Sequence, residues 1–222
     1  VRIPVDFYGS RTTGSTAGFS TNAGTAGSYS GSISDFTVSQ TYLNRLQTIV
    51  DWSISQELYT IIDFHGAQLK SEFLTTFNSN EPNYTSPSSS KRAADLMKFK
   101  SIWTAIANQF INYSNTLIFE VVNEPYFELS SDEMDALNIL IISTIRATGG
   151  NNSTRSIIIT GGTLNSYQAP TAIGSNVIQS DDYLIASFHY YQPFNFTSSS
   201  TSNNNVFNWG SESEKSTIIS HF

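Results

Sequence analysis

Chemistry in this sequence is most legible at the end of an apolar strand. The run Ile118-Phe-Glu-Val-Val-Asn-Glu-Pro125 closes on Glu124. Successive strand residues point to opposite faces, so Phe119 and Val121 form an apolar face toward flanking helices while Glu120, Val122 and Glu124 share the other. A carboxylate taken out of water must be paired, hydrogen-bonded or neutral, because an unpartnered buried charge costs several kcal/mol. A neutral carboxylic acid near pH 7 is a proton donor. Glu124, between Asn123 and Pro125, is the candidate for that role. Glu120 lies deeper in the strand and reads as the structural partner of an inward cation such as Arg2.

The same alternation sorts three other runs. In Leu58 to His65, Asp63 and His65 share the inward face against Ile62 and Phe64. Between Tyr183 and Tyr191, Ser187, His189 and Tyr191 lie on one face, with Ala186, Phe188 and Tyr190 on the other. In Val1 to Val5, Arg2 and Pro4 face inward. An arginine, a histidine, an Asn-Glu pair and a His-x-Tyr pair thus converge from four strands onto one end. Asp63 either orients His65 or serves structural hydrogen bonding. Metal binding by Asp63, His65 and Glu124 is disfavoured, since no ligand-spaced His pair exists. No cofactor is implied. Trp209, between Asn208 and Gly210, is either an aromatic platform or a loop-packing residue, and the same holds for Tyr126, Phe127, Phe194 and Phe196. Trp52 and Trp103 fall on helix faces and are expected in the core.

The elements that must position these residues follow from periodicity. Five short runs rich in β-branched and aromatic residues, Val1 to Val5, Leu58 to Phe64, Thr116 to Val122, Ser156 to Thr160 and Tyr183 to Phe188, read as buried strands. Between them, Leu43, Leu46, Val50 and Ile54, then Leu96, Phe99, Trp103, Ile106 and Phe110, then Met134, Leu137, Ile141 and Ile145 recur at helical steps. The third helix starts at Ser131-Asp-Glu and stops at Gly149-Gly150. Strict strand–helix alternation implies a parallel α/β architecture. A barrel and an open doubly wound sheet both satisfy it. Two stretches break the pattern, Tyr8 to Ser34 and Leu69 to Ser90. Both follow the carboxyl end of a strand, where such folds carry functional loops. A third, Ser198 to Asn205, is a polar low-complexity loop.

Composition narrows the partners. The chain has 222 residues, the length of one well-cored domain, with 18 acidic and 11 basic residues and a net charge of -7. Without a concentrated basic face, nucleic acid and anionic membrane surfaces are poor partners. A neutral substrate fits better. The absence of cysteine excludes disulfide and thiolate chemistry. Five N-x-S/T sequons, at Asn83, Asn112, Asn151, Asn152 and Asn195, are weak evidence of secretion in a chain this rich in Asn, Ser and Thr.

Four motifs in this order, Val-Arg-Ile-Pro-Val, Ile-Ile-Asp-Phe-His, Ile-Phe-Glu-Val-Val-Asn-Glu-Pro and His-Tyr-Tyr-Gln-Pro-Phe-Asn-Phe-Thr, resemble family 5 of the glycoside hydrolases. Ile145-Arg-Ala-Thr-Gly-Gly-Asn-Asn152 and Trp209-Gly210 are similar to its bacterial-type endoglucanase branch. The resemblance implies a (β/α)8 TIM barrel and retaining cleavage of β-linked glucan, by an extracellular enzyme that is monomeric at full length. It implies that Arg2 supports the nucleophile, that His65 lines the sugar subsite, that Asn123 bonds the 2-hydroxyl, and that Glu124 is acid and then base. It further implies that His189 and Tyr191 orient the two carboxylates and that Trp209 contacts sugar, to which Tyr126, following its strand end, is the added candidate for a sugar contact. Glucanase, mannanase and xyloglucanase share this machinery. The family's nucleophile belongs to a Gly-Glu-Phe-Gly-like strand, and no such run occurs in residues 1–222. The chain therefore reads as one partial catalytic domain, strands two to six of eight, with the first, seventh and eighth strands missing. By itself it is expected to be inactive and prone to aggregate through unpaired strand edges. A non-catalytic glucan-binding remnant is the competing expectation.

Overall fold

A computed structural model of the chain describes residues 1–22, 29–73, 86–125, 129–162, 167–197 and 208–222. Tyr126, Phe127, Pro82, Asn83 and the stretch Ser198 to Asn205 lie outside the described residues. The five apolar runs form five strands: β1 Arg2–Val5, β2 Thr60–Phe64, β3 Leu117–Glu120, β4 Ile157–Ile159 and β5 Leu184–Ala186. All pair in parallel, and their order across the sheet is their order in the chain. A doubly wound sheet reverses its strand order partway, whereas a barrel wall advances in one direction. The sheet is an arc of a (β/α)8 barrel.

Helices fill the intervals: α1 Gln40–Ser55, α2 Ala67–Phe73, α3 Ser90–Gln109, α4 Ser131–Ala147 and the short α5 Ser175–Ile178, with α6 Phe194–Thr197 and α7 Glu212–His221 after β5. Their apolar stripes bury against the outer face of the sheet. Leu43, Leu46 and Val50 of α1, Phe99, Trp103 and Ile106 of α3, and Met134, Leu137, Ile141 and Ile145 of α4 meet Ile3, Val5, Ile62, Phe64, Phe119, Val121, Ile157 and Ile159 in one core. Each such burial stabilises by about 1.5–3 kcal/mol. Trp103 also donates its indole N–H to the Val121 carbonyl at 3.3 Å, so its one polar atom is satisfied.

Trp52 is a correction to the sequence reading: it is 68% exposed. It stands two residues past Val50, which at about 100° per residue carries it to the far side of the helix from the buried stripe. The stretch Leu69 to Ser90 is likewise not all loop, because α2 occupies its start. That helix is short and rests on tertiary support: Leu69 is fully buried, and the Asp6 carboxylate accepts the Gln68 N–H at 3.0 Å. α4 starts at Ser131 as expected, and Ser130 is its cap. Its hydroxyl accepts the Glu133 N–H while Glu133 accepts the Ser130 N–H, each at 3.2 Å, a reciprocal capping box. Gly149 and Gly150 end the helix with φ of 73° and 55°. A Cβ at Gly150 would meet Ile111 at 2.7 Å. No helix among the described residues is long and apolar enough to cross a membrane.

The segment after α4 closes the amino-terminal end of the sheet. Arg146 binds Asp181 through Nε at 2.6 Å and Nη2 at 2.8 Å, and its Nη2 also reaches the Arg155 carbonyl at 2.9 Å. This pair holds Asp181 below the usual carboxylate range, chiefly through the Arg146 hydrogen bonds. Its folded pKa is thus depressed, so its stabilisation is present above the ordinary value of 3.8 and fades as pH falls through the folded value. Asp181→Asn should cost about 2 kcal/mol at pH 7. Urea unfolding at descending pH should show the wild type and the variant converging below pH 3.8; a gap independent of pH would rule out the ion pair as its source.

Candidate active site

One continuous polar network runs over the inner face of the sheet, from Arg2 at the start of β1 to the carboxyl ends of β2 and β3. Arg2 reaches across the inner face, its Nε at 2.7 Å from Glu120 Oε2 and its Nη2 at 2.8 Å from Glu120 Oε1. The same Nη2 donates to Asn123 Oδ1 at 2.7 Å and lies 3.1 Å from Asp63 Oδ2. The parallel register makes this possible, since Asp63 stands beside Glu120 on the neighbouring strand and Arg2 beside Ile61. The Glu120 hydrogen bond is the main cause that raises the Arg2 guanidinium further above its ordinary value. Burial, helped by the Glu120 charge, pushes Asp63 up despite His65 and Arg2. Asp63 Oδ2 also lies 3.0 Å from His65 Nδ1, so it touches both His65 and Arg2. The two alternatives for Asp63 are both realised in one side chain.

Glu124 belongs to a second network. His189 Nδ1 is 2.5 Å from Glu124 Oε1, and the Tyr191 hydroxyl donates to the same oxygen. Glu124 has a φ of 31°, a left-handed conformation that a residue with a side chain adopts at a cost and that concentrates at functional sites. Asn123 fixes the turn by donating its N–H to the Phe64 carbonyl at 2.9 Å. The two inward carboxylates of this segment therefore differ in kind. Glu120, 4% exposed, is spent on Arg2. Glu124 is held by two neutral-capable groups at the strand end, where a substrate can reach it.

Six of the eight residues singled out for the site, Arg2, His65, Asn123, Glu124, His189 and Tyr191, stand in these two networks, joined by the Asn123–Glu124 peptide. Trp209 stands farther along the rim, 38% exposed and 6.4 Å from the Phe196 ring. Phe196 lies on α6, which Thr197 ties to the Tyr191 carbonyl at 2.7 Å. Glu212 and Glu214 sit in the first turn of α7, where Glu214 closes a capping box with Ser211. Sequence reasoning missed Asp6. Its carboxylate accepts the N–H groups of Tyr8 and Gln68 and so ties the first two strand-end loops together. An Asp directly after a strand and facing a helix start was the available signal.

The structure defines a parallel α/β-barrel wall that holds a glutamate between a histidine and a tyrosine at its carboxyl end. The chain belongs to glycosyl hydrolase family 5, whose cellulase family model matches residues 1–221. It is 33% identical over 187 residues to endoglucanase H of Acetivibrio thermocellus, covering 84% of this chain and 18% of that protein. Among solved structures it is similar to a broad-specificity endoglucanase from Clostridium acetobutylicum, at 26% identity and a TM-score of 0.71 over 99% of this chain and 59% of that one. It is also similar to XEG5A, a xyloglucan-specific endo-β-1,4-glucanase from a metagenomic library solved with cellotriose, at 25% identity and a TM-score of 0.69 over 99% of this chain and 57% of that one. The chain spans less than half the length of the first curated relatives it matches.

Proposed function

We propose that this chain supplies the acid–base half of a retaining endo-β-1,4-glucanase. The observation that carries the reading is Glu124, strained in its backbone and gripped by His189 and Tyr191 beside the Arg2–Asn123 pair. Glu124 protonates the glycosidic oxygen as the bond to the anomeric carbon breaks. A second carboxylate about 5 Å away attacks that carbon, and Glu124 then draws a proton from the water that releases the sugar. The second carboxylate comes from outside residues 1–222. The Nη1 of Arg2, without a hydrogen-bond partner among the described residues, is the donor left to hold it. Asn123, fixed through its Oδ1 by Arg2, addresses the 2-hydroxyl, and His65 lines the same sugar. Trp209 and Phe196 extend an aromatic surface beyond Tyr191. A polymeric substrate places the enzyme outside the cell.

The glucan reading is supported by relatives whose names are endoglucanases. Hydrolysis of carboxymethylcellulose, xyloglucan and mannan by the full-length protein tests it. Turnover of carboxymethylcellulose is expected. Activity on mannan alone would replace glucanase by mannanase, and binding without turnover of any polymer would make the chain a glucan-binding remnant.

A further inference from the structure

One carboxylate of the site is short of donors. Asp63 is fully buried, and its Oδ1 has no hydrogen-bond partner among the described residues. Its Oδ2 lies 3.1 Å from Arg2 Nη2, but that nitrogen carries two hydrogens and already donates to Glu120 Oε1 at 2.8 Å and to Asn123 Oδ1 at 2.7 Å. Those two shorter bonds use both hydrogens. What remains to Asp63 among the described residues is the charge of Arg2 and one hydrogen bond, at 3.0 Å, between Oδ2 and His65 Nδ1.

The charges around it do not balance either. Among the described residues, those that face Asp63 are Arg2 from β1, Glu120 from β3 and His65 just past its own strand. Glu120 takes the Arg2 Nε and Nη2 hydrogens on its two oxygens, so the guanidinium is matched by Glu120. A second negative charge in the same buried row has no cation of its own, and a buried carboxylate in that position takes up a proton. Burial first, and then the Glu120 charge, push Asp63 above the usual carboxylate range, which is the same direction.

The proton has one place to go, the contact between Asp63 Oδ2 and His65 Nδ1. It sits on Oδ2 and is donated to Nδ1, or it sits on Nδ1 and is donated to Oδ2. In the first case the neutral imidazole carries its hydrogen on Nε2, and in the second the imidazolium carries hydrogens on both nitrogens. Nε2 is a donor in both. It has no hydrogen-bond partner among the described residues, and the ring is partly exposed at the strand end. Removing the shared proton reverses this, because a neutral imidazole that donates from Nδ1 to a carboxylate leaves Nε2 bare, as an acceptor. We propose that Asp63 and His65 hold one proton between them, that Asp63 is thereby a positioning residue that makes His65 a donor to a substrate hydroxyl oxygen, and that loss of this proton at rising pH turns the donor into an acceptor. The identity of the ligand rests on the glucanase reading above.

Two-bond nitrogen–proton NMR spectra of the full-length protein, with labelled histidine rings and His65 assigned by its absence in His65→Gln, read which ring nitrogen carries a hydrogen. They should show Nε2 protonated on the acid side of a single transition, and a bare Nε2 with a protonated Nδ1 on the alkaline side. KM for an aryl cellobioside should rise about tenfold across the same transition, as when one hydrogen bond to the substrate is lost. Asp63→Asn, which cannot hold the proton, should move or abolish that midpoint, whereas a merely structural Asp63 would lower stability and activity and leave the midpoint in place. A neutral ring with Nδ1 protonated and Nε2 bare at every pH where the protein is folded overturns the shared proton, and so does a wild-type midpoint in Asp63→Asn. If that variant does not fold, the wild-type spectra decide. A ring transition with no matching change in KM overturns the assignment of this donor to the substrate. A protein inactive on every β-glucan overturns the glucanase reading instead, and the ring spectra still judge the Asp63–His65 pair.

Discussion

Glu124→Gln in the full-length protein is expected to lower kcat on carboxymethylcellulose by about 10²- to 10⁴-fold, the range for removing a general acid and base from a reaction that needs both. Glutamine keeps the size of the side chain and one acceptor for the His189 and Tyr191 bonds, so the site should stay assembled. What disappears is the proton. The loss should depend on the leaving group: a sugar hydroxyl leaves poorly unless protonated, whereas a dinitrophenolate leaves unaided. The first step on a dinitrophenyl cellobioside should therefore be nearly spared, with the deficit moved to the second step, where water still needs a base. Stopped-flow release of dinitrophenol should show a burst followed by slow turnover. A variant that lost both steps equally on the activated substrate would assign Glu124 a structural role, and the acid would have to be sought elsewhere.

Much of this arrangement was legible before any coordinates, for reasons that differ by residue. The strands were visible because buried parallel strands are nearly continuous runs of β-branched residues, and Ile157–Ile159 is such a run. The site was visible because polar residues on the inward face of such strands are out of place unless they work or are paired. Alternation alone separated Glu120 and Glu124 from Phe119 and Val121, and it offered Arg2 as the partner of Glu120, at 2.7 Å. What alternation could not supply was the division of labour in three dimensions. Asp63 serves His65 and Arg2 together because the register brings three strands into one row. Two features were hidden for a simpler reason. Trp52 is apolar in type and falls within a helix, but its angle around the axis decides its fate. Helix α2 depends on Asp6, a residue far away in sequence whose contribution no local pattern announces.

Arg155 is the extreme case of that blindness and carries the largest expected effect on stability. A charged residue just before a strand reads as surface, yet Arg155 is fully buried. Its five hydrogen bonds run to Asn152 Oδ1 at 2.7 Å and to the carbonyls of Ser114 at 3.0 Å, Leu117 at 2.7 Å, Phe110 at 3.0 Å and Tyr113 at 2.9 Å. Its guanidinium also lies 4.8 Å from the centre of the Phe119 ring. No carboxylate takes part in these bonds. Burial first, and then the charge of Arg146, push Arg155 down to about 10, so it remains a cation at neutral pH. The four carbonyls belong to the end of α3, to the turn after it and to the first residue of β3, and those of Phe110 and Ser114 also accept the main-chain N–H of Tyr113 and Leu117. One planar group with fixed N–H directions satisfies them all, which an ammonium cannot do.

Arg155→Met keeps the aliphatic stem and relieves the buried charge, but it removes a charged donor from four carbonyls and from Asn152 Oδ1, and only the carbonyls of Phe110, Ser114 and Tyr113 keep a second hydrogen bond. Each buried acceptor without a partner costs about 1–3 kcal/mol. Hydrogen bonds to a charged donor contribute about 1.5–3 kcal/mol each, the relief of the buried charge offsets part of the sum, and the net loss should be about 2–4 kcal/mol. Arg155→Lys should recover only a minority of it. Urea unfolding of the two variants beside the wild type reads this as a lower midpoint at unchanged slope. If Arg155→Met left the midpoint in place, the carbonyls would have found water, and the junction of α3 with β3 would be held by the packing of Phe110 and Leu117 alone.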